Sequence, residues 1–93
     1  MAGQSSITAN LFAKRMDLIS TLSQANMEHL RILQRLGGYD ILLMKEPESE
    51  KANTAKCAAQ EDLVASEARI EHLESDVARI DEEIEMSVNS EQE

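Results

Sequence analysis

Two histidines raise the first question of chemistry, because each stands in the same triplet: Glu28-His29-Leu30 and Glu71-His72-Leu73. Two helices that each lent a His and a Glu would make a zinc site. Zinc needs three or four convergent ligands, and the usual helical pair is His-x-x-x-His, a spacing that neither triplet has. The expectation is therefore two histidines on helix flanks and no metal. Cys57, the single cysteine, stands beside Lys56, which favours a thiolate, but it has no resolving partner and lies among alanines. No role is expected of it. Asp81, Glu82, Glu83 and Glu85 pair carboxylates with no apolar pocket to keep one protonated, which fits a solvated acidic face better than acid–base catalysis. Three glycines cannot build a phosphate loop, a dinucleotide fingerprint or a Ca²⁺ loop. Ser49 between Glu48 and Glu50, and Ser90 three residues before Glu93, have the pattern of acidophilic kinase sites, which is common by chance.

With chemistry set aside, composition bounds the rest. A chain of 93 residues with one Tyr, one Phe and no Trp buries only about 60 to 65% of its extended surface, and it has little with which to wall a ligand pocket. Neither an enzyme nor a bound cofactor is expected. Eighteen acidic against nine basic residues give a net charge of -9, which repels nucleic-acid phosphates and excludes nucleic acid as a direct partner. One cysteine and no basic-apolar-small order near the start predict an intracellular, reduced chain, cytoplasmic or nuclear. The longest apolar run, Ile41-Leu42-Leu43-Met44, is far short of the roughly 20 residues that cross a bilayer, so no membrane insertion is expected. Lipid anchoring has no support either, since Ala2 precedes Gly3 and no lipidated-Cys ending is present.

The elements follow from the punctuation. Gly37, Gly38 and Pro47 bracket one short stretch and leave long segments on both sides free of breakers. The expected fold is all-α: a two-helix αα-hairpin whose second helix carries a coiled-coil seam, completed by helices from other chains. Residues 1–4 are expected to fray. Residues 5–36 form the first helix, with Ser5 or Ser6 as cap and Gly37 as C-terminal stop. Residues 37–46 form a bend with the apolar plug Ile41 to Met44, either a loop or an early helical turn. Residues 47–88 form the second helix, which tolerates Pro47 at its start, and residues 89–93 fray.

On the second helix, Leu63, Ile70, Val77 and Ile84 recur at heptad position a, while Leu73 and Ile80 follow Ser66 at d. That 3-4 spacing is either an inter-chain seam or the core-facing side of a small helical domain. Upstream the seam thins to Ala52, Lys56 and Ala59; downstream it meets Ser87. In a parallel self-pair Asp62 would meet Glu67, Arg69 would meet Glu74, and Asp76 would meet Asp81, two repulsions against one attraction. Charge by segment points inward instead. Met1 to Lys45 holds five basic and three acidic residues, a net +2, whereas Glu61 to Glu93 holds two and twelve, a net -10. A mildly basic first helix folded on an acidic second one is the most economical local structure.

The first helix has more apolar surface than one neighbour covers. Leu11, Leu18, Leu22, Ala25, Ile32 and Leu36 share one line, with His29 near it; Phe12, Met16, Ile19 and Leu30 lie about 100° away, and Leu33 falls between. A hairpin alone would leave Phe12, Ile19 and Leu30 partly in water, unless the Ile41 to Met44 run folded over them. The expected partner-binding residues are thus Leu63, Ile70, Leu73, Val77, Ile80 and Ile84 on the seam, with Phe12, Ile19 and Leu30 on the second line. The expected partners are other helical protein chains, as a hetero-oligomer in preference to a homo-oligomer. The function that fits is a non-enzymatic interaction subunit or adaptor of a scaffold, tether or attachment assembly. A small dedicated chaperone or inhibitor is the alternative, and an acidic nucleic-acid mimic the third.

Overall fold

The computed structural model describes residues 2–92, with side chains described over residues 6–90. It is all-helical, with two long α-helices, α1 (Ala2–Lys45) and α2 (Glu50–Gln92), and no strand among the described residues. The helices enter the segments expected to fray, since residues 2–4 and 89–92 are helical; Met1 and Glu93 lie outside the described residues.

The first helix does not stop at Gly37. It runs through Gly37 and Gly38 to Lys45, so the segment expected to form the bend and its apolar plug is the last part of α1. Two helical glycines cost about 1 kcal/mol each relative to alanine. Against that, Tyr39 and Leu43 continue the line of half-buried residues beyond the glycines, so ending the helix at Leu36 would forfeit their packing. Neither glycine has a positive φ, and a Cβ built on either meets nothing within 4 Å. The double variant Gly37→Ala/Gly38→Ala is accordingly expected to stabilise the chain by about 1 to 2 kcal/mol, raising the melting temperature by about 4 to 8 °C per kcal/mol. A fall in the circular-dichroism melting temperature would contradict a helix continuous through both positions.

The chain reverses at Pro47. The residue before a proline is driven out of the α region, and the last helical bond of the segment is Glu46 N to Leu42 O at 2.9 Å. Ser49 N then donates to Glu46 O at 3.2 Å across Glu46-Pro47-Glu48-Ser49, a turn whose second residue is the proline that presets φ. The second helix therefore begins after Pro47, not at it. Ser49 is its N-cap: Ala52 N donates to Ser49 Oγ at 3.2 Å, and Glu50 places its carboxylate in the first turn, where the amide end of the helix favours it. Asn53 Nδ2 ties the cap down by donating to Ser49 O at 2.9 Å and Pro47 O at 3.3 Å. Ser49→Ala is expected to cost about 1 kcal/mol, while Ser49→Asp, itself a good cap, keeps the stability. Equal chemical-denaturation midpoints for Ser49→Ala and the parent would remove the cap from the account.

The described chain divides into two compact units, Met1–Ser23 with Glu71–Glu93, and Gln24–Ile70. In the first, Thr8 pairs with Ser87 and Arg15 with Asp81, so moving forward along α1 moves backward along α2. The helices are antiparallel there. Its inward line is Thr8, Leu11, Arg15, Leu18 and Leu22 from α1 with Leu73, Val77, Ile80, Ile84 and Ser87 from α2. In the second unit Glu28 pairs with Arg69, His29 with Ser66 and Arg35 with Asp62, again in antiparallel order. Its inward line is Ala25, His29, Ile32, Leu36, Tyr39 and Leu43 against Ala52, Lys56, Ala59, Leu63, Ser66 and Ile70. In both units the line repeats at the 3-4 spacing that lets two helices interlock along a common seam.

The buried core is small. Among the described residues only Ala25, Ile32, Ala52, Ala59 and Leu73 are buried, and three of those five are alanines, which bury little apolar area.

Candidate protein interaction surface

The residues proposed as chemical sites are engaged or isolated. His29 Nδ1 shares a hydrogen bond of 3.1 Å with Ser66 Oγ, a polar layer within the seam of the second unit. His72 is exposed on the first unit, 3.5 Å from Asp76 Oδ2 four residues on. Among the described residues no three His, Cys, Asp or Glu side chains group as metal ligands. Cys57 is a free thiol on the exposed side of α2. One open depression of the second unit is edged by long polar side chains, where Glu28, Arg31, Gln34, Arg35 and Asp62 surround the rim of Ile32.

The six seam residues face the chain's own first helix. Leu73 is buried, and Leu63, Ile70, Val77, Ile80 and Ile84 are half-buried. The seam expected to bind other chains is thus occupied from within, because α1 supplies a line of matching spacing. Ion pairs on its flanks hold the register. Arg15 Nε donates to Asp81 Oδ1 at 2.6 Å, Arg69 Nη1 to Glu28 Oε2 at 2.9 Å, Lys56 Nζ lies 2.8 Å from Asp40 Oδ1, and Arg35 Nη2 lies 3.5 Å from Asp62 Oδ2. Each is partly solvated and contributes at most about 1 kcal/mol, so their effect is on alignment more than on stability.

The second line of α1 stands outside this pairing. Phe12 is 49%, Ile19 36% and Leu30 59% exposed, with Met16 and Leu33 exposed beside them. The Ile41 to Met44 run does not fold over them: it is helical, and Ile41, Leu42 and Met44 are themselves exposed. With Thr8 taken as position a, the exposed line falls at positions b and e, and it repeats with the same 3-4 spacing as the inward line. In the first unit it comprises Ala9, Phe12, Met16, Ile19 and Ser23; in the second, Asn26, Leu30, Leu33, Gly37, Asp40 and Met44, with Asp40 its one charged member. Position f adds Ala13, Ser20, Met27, Gln34 and Ile41. Every charged residue of α1 between Ser6 and Gly37 sits at a, c or g, so the b, e and f positions are free of charge over that span.

Met27, Ile41 and Met44 belong to this exposed apolar surface and were not among the expected binding residues; Leu42, at position g, is exposed on the other flank. The signal was present in the heptad register of α1: Met27 sits at position f beside the second line, and a helix ended at Leu36 hides Ile41 and Met44. Compared with family models, curated proteins and solved structures, the chain matches none of them. No helix among the described residues is long and apolar enough to cross a membrane.

Proposed function

We propose that this chain is a non-enzymatic helical interaction subunit, an adaptor within a larger assembly, that binds another helical protein chain through the second line of α1. The observation that carries this reading is an exposed apolar line, free of charge between Ser6 and Gly37, on a helix whose opposite seam is already filled. A helix with one neighbour needs an apolar arc of about 100°, and α1 spans roughly 160° or more. Exposed apolar residues scattered singly are ordinary, but residues repeating at heptad spacing along one face form a contiguous surface of the kind that marks an interface.

Thermodynamics supports the same reading. Five buried side chains, three of them alanine, leave a small helical unit near the lower limit of independent stability, and a further helix would bury the apolar surface that remains. The test is reconstitution. A partner captured from cells, then purified and mixed with the chain, should elute with it as a complex of fixed stoichiometry and raise its melting temperature. A chain that melts cooperatively as a monomer and gains nothing from any captured protein would overturn the proposal; a partner that binds only until a further target takes its place would mark a chaperone instead.

A further inference from the structure

The proposed subunit function leaves the partner's chemistry open, and the first unit narrows it. Resting on that reading, we infer that the helix docking on this unit is amphipathic and basic: apolar at 3-4 spacing, with Lys or Arg along the flank that lies over α2. The helix is one from another protein, not a second copy of this chain.

The apolar floor is Phe12, Met16 and Ile19 of α1, all exposed. Its neighbours on α2 follow from the antiparallel pairing. In such a pair the e positions of the two helices share one flank and the g positions the other. The salt bridges respect this: Arg15 at a reaches Asp81 at e, so Asp81 and Glu74 share the flank of Phe12 and Ile19. Glu71 and Glu85, at position b, stand one step farther out on that flank. Among the described residues, Glu71, Glu74 and Glu85 have no ion-pair partner, and only Asp81 of these four is paired. The remaining cations of the unit, Lys14 at g and Arg79 at c, belong to the opposite flank.

A helix laid on the floor must therefore run beside three unpaired carboxylates. A neutral or acidic helix would lose hydration from them without replacing it, whereas Lys or Arg on that flank supplies the counter-charge. A second copy cannot do so. Its corresponding face, positions b, e and f of α1, carries no cation between Ser6 and Gly37. Two copies joined antiparallel through this line would also bring the two acidic rows together, each on a chain of net charge -9.

The experiment titrates the full chain into two labelled peptides read by fluorescence anisotropy. Both have Leu at 3-4 spacing through three heptads; one has Lys on a single flank and the other Glu at the same positions. The Lys peptide should bind at least tenfold more tightly than the Glu peptide, and the preference should shrink with added salt. Glu71→Lys/Glu74→Lys should weaken the Lys peptide about tenfold and strengthen the Glu peptide, and Phe12→Asp/Ile19→Asp should abolish both signals. Equal affinity for the two peptides would overturn the charge assignment and leave the subunit function standing. A dimer by sedimentation that Phe12→Asp/Ile19→Asp disperses, with neither peptide bound, would make a second copy the occupant. A monomer that binds neither peptide would remove the basic-helix assignment, with the reconstitution of a captured partner then deciding the subunit function separately.

Discussion

Leu73→Asp is expected to abolish the cooperative thermal transition of this chain. Leu73 is 8% exposed and is one of only two large side chains, with Ile32, in the buried set. Substitution removes a leucine from the seam and places a carboxylate at a position almost closed to water. The first effect alone costs about 2 to 5 kcal/mol for a leucine truncated in a core, and desolvating an unpaired polar or charged group adds several more. A domain of this size has a total stability of about 5 to 10 kcal/mol at best, so the sum removes most or all of it. Far-ultraviolet circular dichroism on heating should show a low, sloping signal without a midpoint. Val64→Asp supplies the contrast: Val64 is on the same helix but 67% exposed, and its melting midpoint should stay within a few degrees of the parent. A retained sharp transition for Leu73→Asp would mean that the hairpin seam is not the core.

Why that seam was readable, and the bend was not, is a matter of scale. Leu63, Ile70, Leu73, Val77, Ile80 and Ile84 each contribute apolar area at a fixed spacing, and six such residues outweigh the intervening charged positions in any helical register. The same holds for Leu11, Leu18, Leu22 and Ile32 on α1. Helix ends depend on smaller differences. Gly37-Gly38 carries a local preference for termination of about 2 kcal/mol in total, which favours a stop only when nothing beyond it packs. Here Tyr39 and Leu43 pack, and their partners on α2 lie too far along the chain for a local rule to include. Ser49 shows the converse. Its cap on Ala52 is a local signal, legible as Ser followed by Glu50, but Pro47 two residues earlier offered a stronger start and drew attention from it. The second line of α1 was legible in its first two-thirds for the reason the seam was, and the misplaced end concealed the rest.

Phe12→Asp/Ile19→Asp is expected to separate binding from folding. Both residues are exposed in the hairpin, 49% and 36%, so about half of the burial of Phe12 and a third of that of Ile19 remain to be gained from a partner. Full burial of a Phe or Ile side chain is worth about 1.5 to 3 kcal/mol. Losing what remains, about 1 to 2.5 kcal/mol for the pair, and desolvating a carboxylate in each place at about 1 to 3 kcal/mol, should weaken a partner helix by about 4 kcal/mol or more, roughly a thousandfold in Kd. Within the hairpin the same changes remove only partial contacts at the edge of the seam, where each substitution should cost about 1 kcal/mol or less. Two quantities therefore move by very different amounts: calorimetric Kd for the reconstituted partner rises about a thousandfold, while the free chain keeps a cooperative transition whose midpoint falls by about 10 °C at most. Cys57→Ser, also exposed but off the apolar line, should change neither. If the melting temperature collapses together with the affinity, Phe12 and Ile19 serve the hairpin itself. If affinity survives, the partner docks elsewhere, and the exposed apolar line of α1 is not an interface.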